Sequence, residues 1–183
     1  MAKQTQLDRA YMRCAYAIAE ELSLARRKKV GSILVAAEGG IIAEGFNGTP
    51  AGFDNSCEQE IGSNELVTKP EVLHAETNAI AKIAKSTRSS AGGTLYTTLM
   101  PCFECSKLII QAGIRRVVFS EFYPYKGFQG TERPMGLDLL ARANILVEQL
   151  DMSAHSRQYD CSHDRELEAT EPVTPDDASH FGH

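Results

Sequence analysis

His74-Ala75-Glu76 and, further along, Pro101-Cys102-Phe103-Glu104-Cys105 hold the residue types with the most chemistry in this chain. One imidazole and two thiols in C-x-x-C spacing form a nitrogen and sulfur donor set of the kind zinc takes. His74, Cys102 and Cys105 are therefore read as the ligands of a zinc ion. Three protein ligands leave a fourth position for water, which marks a catalytic rather than a structural site. Zinc lowers the pKa of bound water to roughly 7. Glu76 is read as the catalytic group, a proton carrier beside the metal and not a ligand. A lone histidine is commonly a surface residue, and a lone C-x-x-C can be a redox pair. Neither reading explains an H-x-E on a separate helix start. A structural zinc would want a fourth protein ligand, and Cys57, His155 and His163 all fall in loops or tail.

The surrounding pattern says what must position these groups. From about Thr5 to Leu24, apolar residues at Leu7, Tyr11, Cys14, Ala15, Ile18 and Leu22 mark a helix covering one face of a sheet. Residues 30–37 and 41–46 read as a hairpin around Glu38-Gly39-Gly40. Asn47 to Gly52 is dense in turn residues, and Asn47 places an amide at a strand end, where ligands often sit. Residues 53–72 show no sustained period and read as a long functional loop, with a short helical piece near Cys57–Ile61. A helix follows over His74–Lys85, then a strand over Thr94–Leu99. Pro101 opens a helix to about Gln111, stopped by Gly113. A strand at 115–120, a loop to Pro134, a helix over 135–143 ended by Asn144 and a strand at 145–150 complete the set. This order predicts an α/β fold, a three-layer α/β/α sandwich around a five-stranded mixed sheet, with an antiparallel first hairpin and then parallel strands. Both ligand motifs open helices, whose N-terminal dipoles favour thiolate over thiol.

Length bounds the rest. At 183 residues the chain predicts one catalytic domain over 1–151, followed over 152–183 by an acidic, poorly ordered tail. A net charge of −5 argues against a dedicated nucleic-acid partner. No apolar run approaches the ~20 residues of a membrane span, and the first residues lack a signal-peptide core, so the expected location is cytoplasmic. Five cysteines, scattered over the chain, are too few for a disulfide framework. Cys57 is open to three readings: reactive thiol, second metal ligand or plain small apolar residue. The run Arg26-Arg27-Lys28-Lys29 has two: a solvated helix end whose cations complement the dipole, or a phosphate site.

The H-x-E…P-C-x-x-C order is the signature of zinc-dependent nucleobase deaminases. From roughly Leu7 to Leu150 the chain resembles the deoxycytidylate (dCMP) deaminase family. The stretches that carry the likeness are Gly45-Phe46-Asn47-Gly48-Thr49-Pro50-Ala51-Gly52, His74-Ala75-Glu76-Thr77-Asn78-Ala79-Ile80 and Pro101-Cys102 through Ile114. The zinc motif is common to all relatives. The glycine-rich asparagine loop, the long insert after it and the closing helix–strand pair belong to dCMP deaminases more narrowly. The resemblance implies hydrolysis of dCMP to dUMP and ammonia for thymidylate synthesis, activation by dCTP with Mg²⁺, inhibition by dTTP and a homohexamer. It also implies that Asn47 holds the sugar 3′-hydroxyl, and it directs attention to Gly45 through Asp54 for an effector site. Ala75, inside the H-x-E motif, is counted with the substrate contacts. Position adds Arg26 and Lys29 for the phosphate, and Tyr123, which either stacks on the base or packs as an ordinary aromatic. Competing readings are a free cytidine or deoxycytidine deaminase, a tRNA adenosine deaminase, and a non-enzymatic zinc-binding nucleotide sensor. The acidic charge opposes the second, and an intact Glu76 opposes the third.

Overall fold

The computed structural model describes residues 2–62, 65–122 and 135–152. Its elements are α1 (Ala2–Leu22), β1 (Gly31–Val35), β2 (Ile41–Phe46), β3 (Glu58–Ile61), β4 (Glu65–Thr68), α2 (Ala75–Ile83), β5 (Thr94–Leu99), α3 (Phe103–Gln111), β6 (Arg116–Glu121), α4 (Met135–Arg142) and β7 (Leu146–Gln149). Five strands form one sheet in the order β2-β1-β5-β6-β7. β1 is antiparallel to both β2 and β5, whereas β5, β6 and β7 run parallel. This is the mixed sheet that the element order predicts.

Two glycines settle which helix goes to which face. Gly31 pairs with Phe46 and Ser32 with Gly45, so Gly31 and Gly45 point to opposite faces. A Cβ at Gly31 would stand 2.0 Å from the Ala15 carbonyl oxygen, and one at Gly45 would stand 2.1 Å from that of Ala75. Only hydrogen fits at either place, so α1 presses on one face and α2 on the other. The side chains sort accordingly. Ile33, Val35, Tyr96 and Val118 pack under Met12 and Ala15 of α1. Leu34, Leu95, Val117 and Phe119 pack with Ile109 of α3 and with Leu137 and Leu140 of α4. The alternation along β5 and β6 is therefore the period-2 pattern of a sheet covered on both sides.

The buried stripe of α1 is rotated from the expected one. Asp8, Met12, Ala15 and Ala19 face the sheet, while Leu7 and Leu22 are exposed. The small alanines allow the close approach over Gly31, and Asp8 has a partner that an apolar-only reading does not anticipate. Its carboxylate receives both Arg116 Nη1 and Nη2, at 2.7 and 2.8 Å, and the Tyr96 hydroxyl at 2.7 Å. A second departure lies in the insert. The segment near Cys57–Ile61 is not helical but forms an antiparallel hairpin, β3–β4. Apart from Glu58 its first strand is exposed, so no apolar period marks it. Polar bonds hold it instead: the Glu58 carboxylate accepts the backbone N–H groups of Arg26 and Arg27, and Lys69 N–H donates to the Cys57 carbonyl. The expected stops do appear, with Gly113 and Asn144 both in the left-handed region after α3 and α4. The expected tail lies outside the described residues. Among the described residues, no helix is long and apolar enough to cross a membrane.

Burial alone would raise the Asp8 carboxyl, but hydrogen bonds from Arg116, Tyr96 and Gln4 and the guanidinium charge outweigh it and hold it below the ordinary range. A carboxyl depressed in the folded state stabilises the fold fully above its unfolded pKa of about 3.9, and that stabilisation is lost as pH falls through the folded value. Asp8→Asn should cost about 2 kcal/mol at pH 7, because it removes the charged, two-pronged partner of the Arg116 guanidinium and leaves it Glu148 alone. It should also flatten the acid limb of the denaturation curve below about pH 4. Urea unfolding across pH 2–7 checks both.

Candidate metal centre and active site

The three proposed ligands meet at the N-termini of α2 and α3. His74 is the N-cap residue of α2, extended at φ −70° and ψ 156°, and its side chain makes no cap bond. Its ring turns instead to the thiols, with Nδ1 at 3.4 Å from the Sγ atoms of both Cys102 and Cys105. Cys102 is the N-cap of α3, and its sulfur accepts the Cys105 N–H at 3.4 Å. Pro101 is therefore one residue outside the cap rather than the first helical residue, and the helix starts at Phe103. The expectation that both helices begin at their ligands is met, with one ligand at each N-cap. All three donor atoms lie within 4.8 Å of one another, and this is the cluster able to hold a metal ion among the described residues.

Electrostatics fit a cation here. The Cys105 thiol beside it, helped by the His74 imidazole and against the opposing effect of burial, brings the Cys102 thiol down to about 4. The same contact pushes Cys105 up, and burial adds to this. The pair thus shares one proton, which a bound metal displaces. The Cys102 sulfur raises His74, with burial opposing and Glu76 assisting. Glu76 is 4% exposed, and burial raises its carboxyl to about 7, with its own backbone N–H and His74 pulling the other way. One nitrogen and two sulfurs with a buried carboxyl alongside suit zinc.

Neighbouring contacts show how the substrate-contact candidates are placed. Gly48 and Leu73 exchange backbone hydrogen bonds at 3.2 and 2.9 Å, which lays the Asn47 loop beside the start of α2. Asn78 Nδ2 donates to the Phe46 carbonyl at 2.9 Å and ties α2 to the end of β2. Asn47 is itself a clamp: its Oδ1 accepts from Ser23 Oγ at 2.7 Å and Val30 N–H at 2.9 Å, and its Nδ2 donates to the Lys28 carbonyl at 2.9 Å. Ala75 is fully buried and packs with Val30 and Leu99. Lys29 donates to the Glu20 carbonyl at 2.7 Å, at the end of α1, where a cation complements the dipole. Lys28 pairs with Glu121, and Arg27 reaches the Thr68 hydroxyl at 3.4 Å. Arg26 is the most loosely held, exposed and 3.9 Å from Glu60, and it borders an open groove of about 370 Å³ along Asp54 to Glu58. Cys57 is buried with its thiol raised by that burial, as a plain interior residue would be. Tyr123 lies outside the described residues. Thr77, whose hydroxyl is 3.6 Å from Cys105 Sγ, was not legible as a site residue; its place one residue after Glu76 is the signal available.

The family model for the cytidine and deoxycytidylate deaminase zinc-binding region matches residues 5–121. The chain belongs to this family. Human deoxycytidylate deaminase is 42% identical over 98 residues, covering 50% of this chain and 52% of that protein. The chain thus matches about half the length of that relative. The deoxycytidylate deaminase of Enterobacteria phage T4 is 30% identical over 173 residues, covering 74% of this chain and 86% of that protein. Among solved structures, the dCMP deaminase of cyanophage S-TIM5, in complex with dCMP and dUMP, is 39% identical with a TM-score of 0.67. The match covers 79% of this chain and 97% of that one. The region matched by the zinc-binding family model contains His74, Cys102 and Cys105.

Purified protein should carry about one zinc per chain, and His74→Ala or Cys105→Ala should carry almost none, read by elemental mass spectrometry. Thr77→Val should keep the metal but yield it to a chelator on the order of 10-fold more readily, because the hydroxyl orients a ligand sulfur.

Proposed function

We propose that the chain catalyses hydrolytic deamination of dCMP to dUMP and ammonia with a zinc ion held by His74, Cys102 and Cys105. The observation that carries the reaction type is the buried Glu76 carboxyl, two residues past His74 and beside a donor set able to hold a metal ion, where a proton carrier is effective. The substrate class is supported by the deoxycytidylate deaminases to which the chain is similar and by the dCMP and dUMP in the S-TIM5 complex. A zinc ion bound here supplies Lewis acidity that brings the pKa of water near neutrality. Glu76 accepts a proton from the attacking water and delivers it to the ring nitrogen next to the carbon under attack. It then takes the proton of the added hydroxyl and passes it to the departing amine, so that the C–O bond becomes a carbonyl as the C–N bond breaks and ammonia leaves. The burial of Glu76 excludes bulk water from these transfers.

For the remainder of the nucleotide, we assign the sugar 3′-hydroxyl to Asn47, whose Nδ2 has a second N–H beyond the one given to Lys28. Arg26 is assigned to the phosphate, since it is the least committed cation of its run. Lys29 would have to leave the Glu20 carbonyl to join it. Ala75 is kept among the substrate contacts for its place in the H-x-E motif, with its carbonyl against Gly45 of β2. Supply of dUMP to thymidylate synthesis, regulation by dCTP with Mg²⁺ and by dTTP, a homohexamer and a cytoplasmic setting rest on the family resemblance, with the Gly45–Asp54 loop as the place to seek effectors.

Ammonia release should be fastest from dCMP when dCMP, dCTP, cytidine and a tRNA anticodon stem are compared, with and without dCTP as effector. Preference for cytidine over dCMP would sink the nucleotide assignment. Glu76→Gln should retain zinc while turnover drops by roughly 10²–10⁴-fold or more, and undiminished turnover in a zinc-loaded variant would remove Glu76 from its role. Arg26→Gln should raise KM for dCMP while leaving cytidine unaffected.

A further inference from the structure

The peptide joining Pro101 to Cys102 is held from both ends and pressed from a third direction. On one side Met100 N–H donates to the Glu121 carbonyl at 2.8 Å, which ties the end of β5 to β6. On the other, the Cys102 carbonyl accepts the Ser106 N–H and the Ser106 hydroxyl, both at 2.9 Å. The third contact is α4. A Cβ at Gly136 would stand 2.6 Å from the Pro101 carbonyl oxygen, 3.0 Å from Ser106 Oγ and 3.1 Å from the Cys102 carbonyl carbon. The first of these is shorter than real side chains tolerate, and its partner is backbone. Nor is α4 free to back away, because Leu137 and Leu140 are buried in the core with Ile109 of α3. Neither body can yield without cost, so a methyl group at 136 would be accommodated partly by moving Cys102.

We propose that Gly136 is a positioning residue of the metal site. Its bare Cα seats α4 on the Pro101–Cys102 peptide, and that seating sets the direction of Cys102 Sγ toward Cys105 and His74. The inference rests on the reading of these three residues as the zinc ligands. No part of it needs α4 to touch the metal or the substrate.

Cobalt(II) titration of the full chain tests it, because thiolate-to-cobalt absorption reports the ligand geometry directly and zinc competition gives the affinity. Gly136→Ala should bind metal on the order of 10- to 100-fold more weakly, with shifted thiolate bands. Leu140→Val, which loosens α4 in the core away from Cys102, should lower the thermal midpoint of the metal-free protein while keeping wild-type bands and affinity. Ser106→Ala, which frees the same peptide from the α3 side, should weaken metal binding in the same direction and decides the matter if Gly136→Ala does not fold. Wild-type bands and affinity in folded Gly136→Ala would overturn the proposal, as would an equal loss in Leu140→Val at matched thermal stability. If Gly136→Ala does not fold, wild-type bands and affinity in Ser106→Ala would overturn it. If the unmutated chain shows no thiolate band at all, the zinc assignment itself fails, a result distinct from the others.

Discussion

Three donor atoms from two separate helices must converge within 4.8 Å, and most of the architecture answers to that requirement. Both helices deliver their ligands from the cap position, where the helix dipole favours negative charge; the Cys102 sulfur accepts a helix N–H, whereas the His74 ring turns to the thiols. For the caps to meet, α2 has to lie hard against β2 and α3 has to follow directly from β5. The first condition is met by Gly45, the second by the short Met100–Pro101 link and the core under α3. The buried carboxyl of Glu76 follows from the same packing. Glu76 stands in the first turn of α2 and is 4% exposed.

Much of this was legible because it is written in local signals. β2 and β5 fall where turn residues and β-branched runs put them, and the cap positions fall on the ligands themselves. What the pattern could not show depends on distant polar partners. α1 turns Asp8 rather than Leu7 to the sheet because a guanidinium on β6 waits there. The β3–β4 hairpin has no apolar face and is specified by one carboxylate and the amides it accepts, so neither the helical nor the strand period appears in it. Pro101 misled by one position: its suitability for a first helical residue is real, but the cap was claimed by a sulfur that binds the Cys105 N–H.

Segment 23–30, between α1 and β1, has no regular structure, yet two side chains account for its course. Asn47 takes hold of residues 23, 28 and 30, and Glu58 takes hold of 26 and 27. Substituting an amide and a carboxylate for secondary structure leaves the four cations at the surface with their backbones fixed. The loop that bears Asn47 is in turn paired with Leu73, next to the first ligand.

The antiparallel pairing of β1 with β5 has a further consequence, for the order in which the molecule assembles. Ser32 and Thr97, whose hydroxyls meet at 3.1 Å, are 65 residues apart along the chain. Closing so long a loop costs entropy before any packing repays it, so this join belongs to the slow part of folding. The two thiols are neighbours in sequence, and His74 stands 28 residues from Cys102, a shorter closure than the 65 of the β1–β5 join. The three ligands can therefore meet through a shorter closure than the sheet needs, and metal binding to them draws the folding equilibrium forward by mass action.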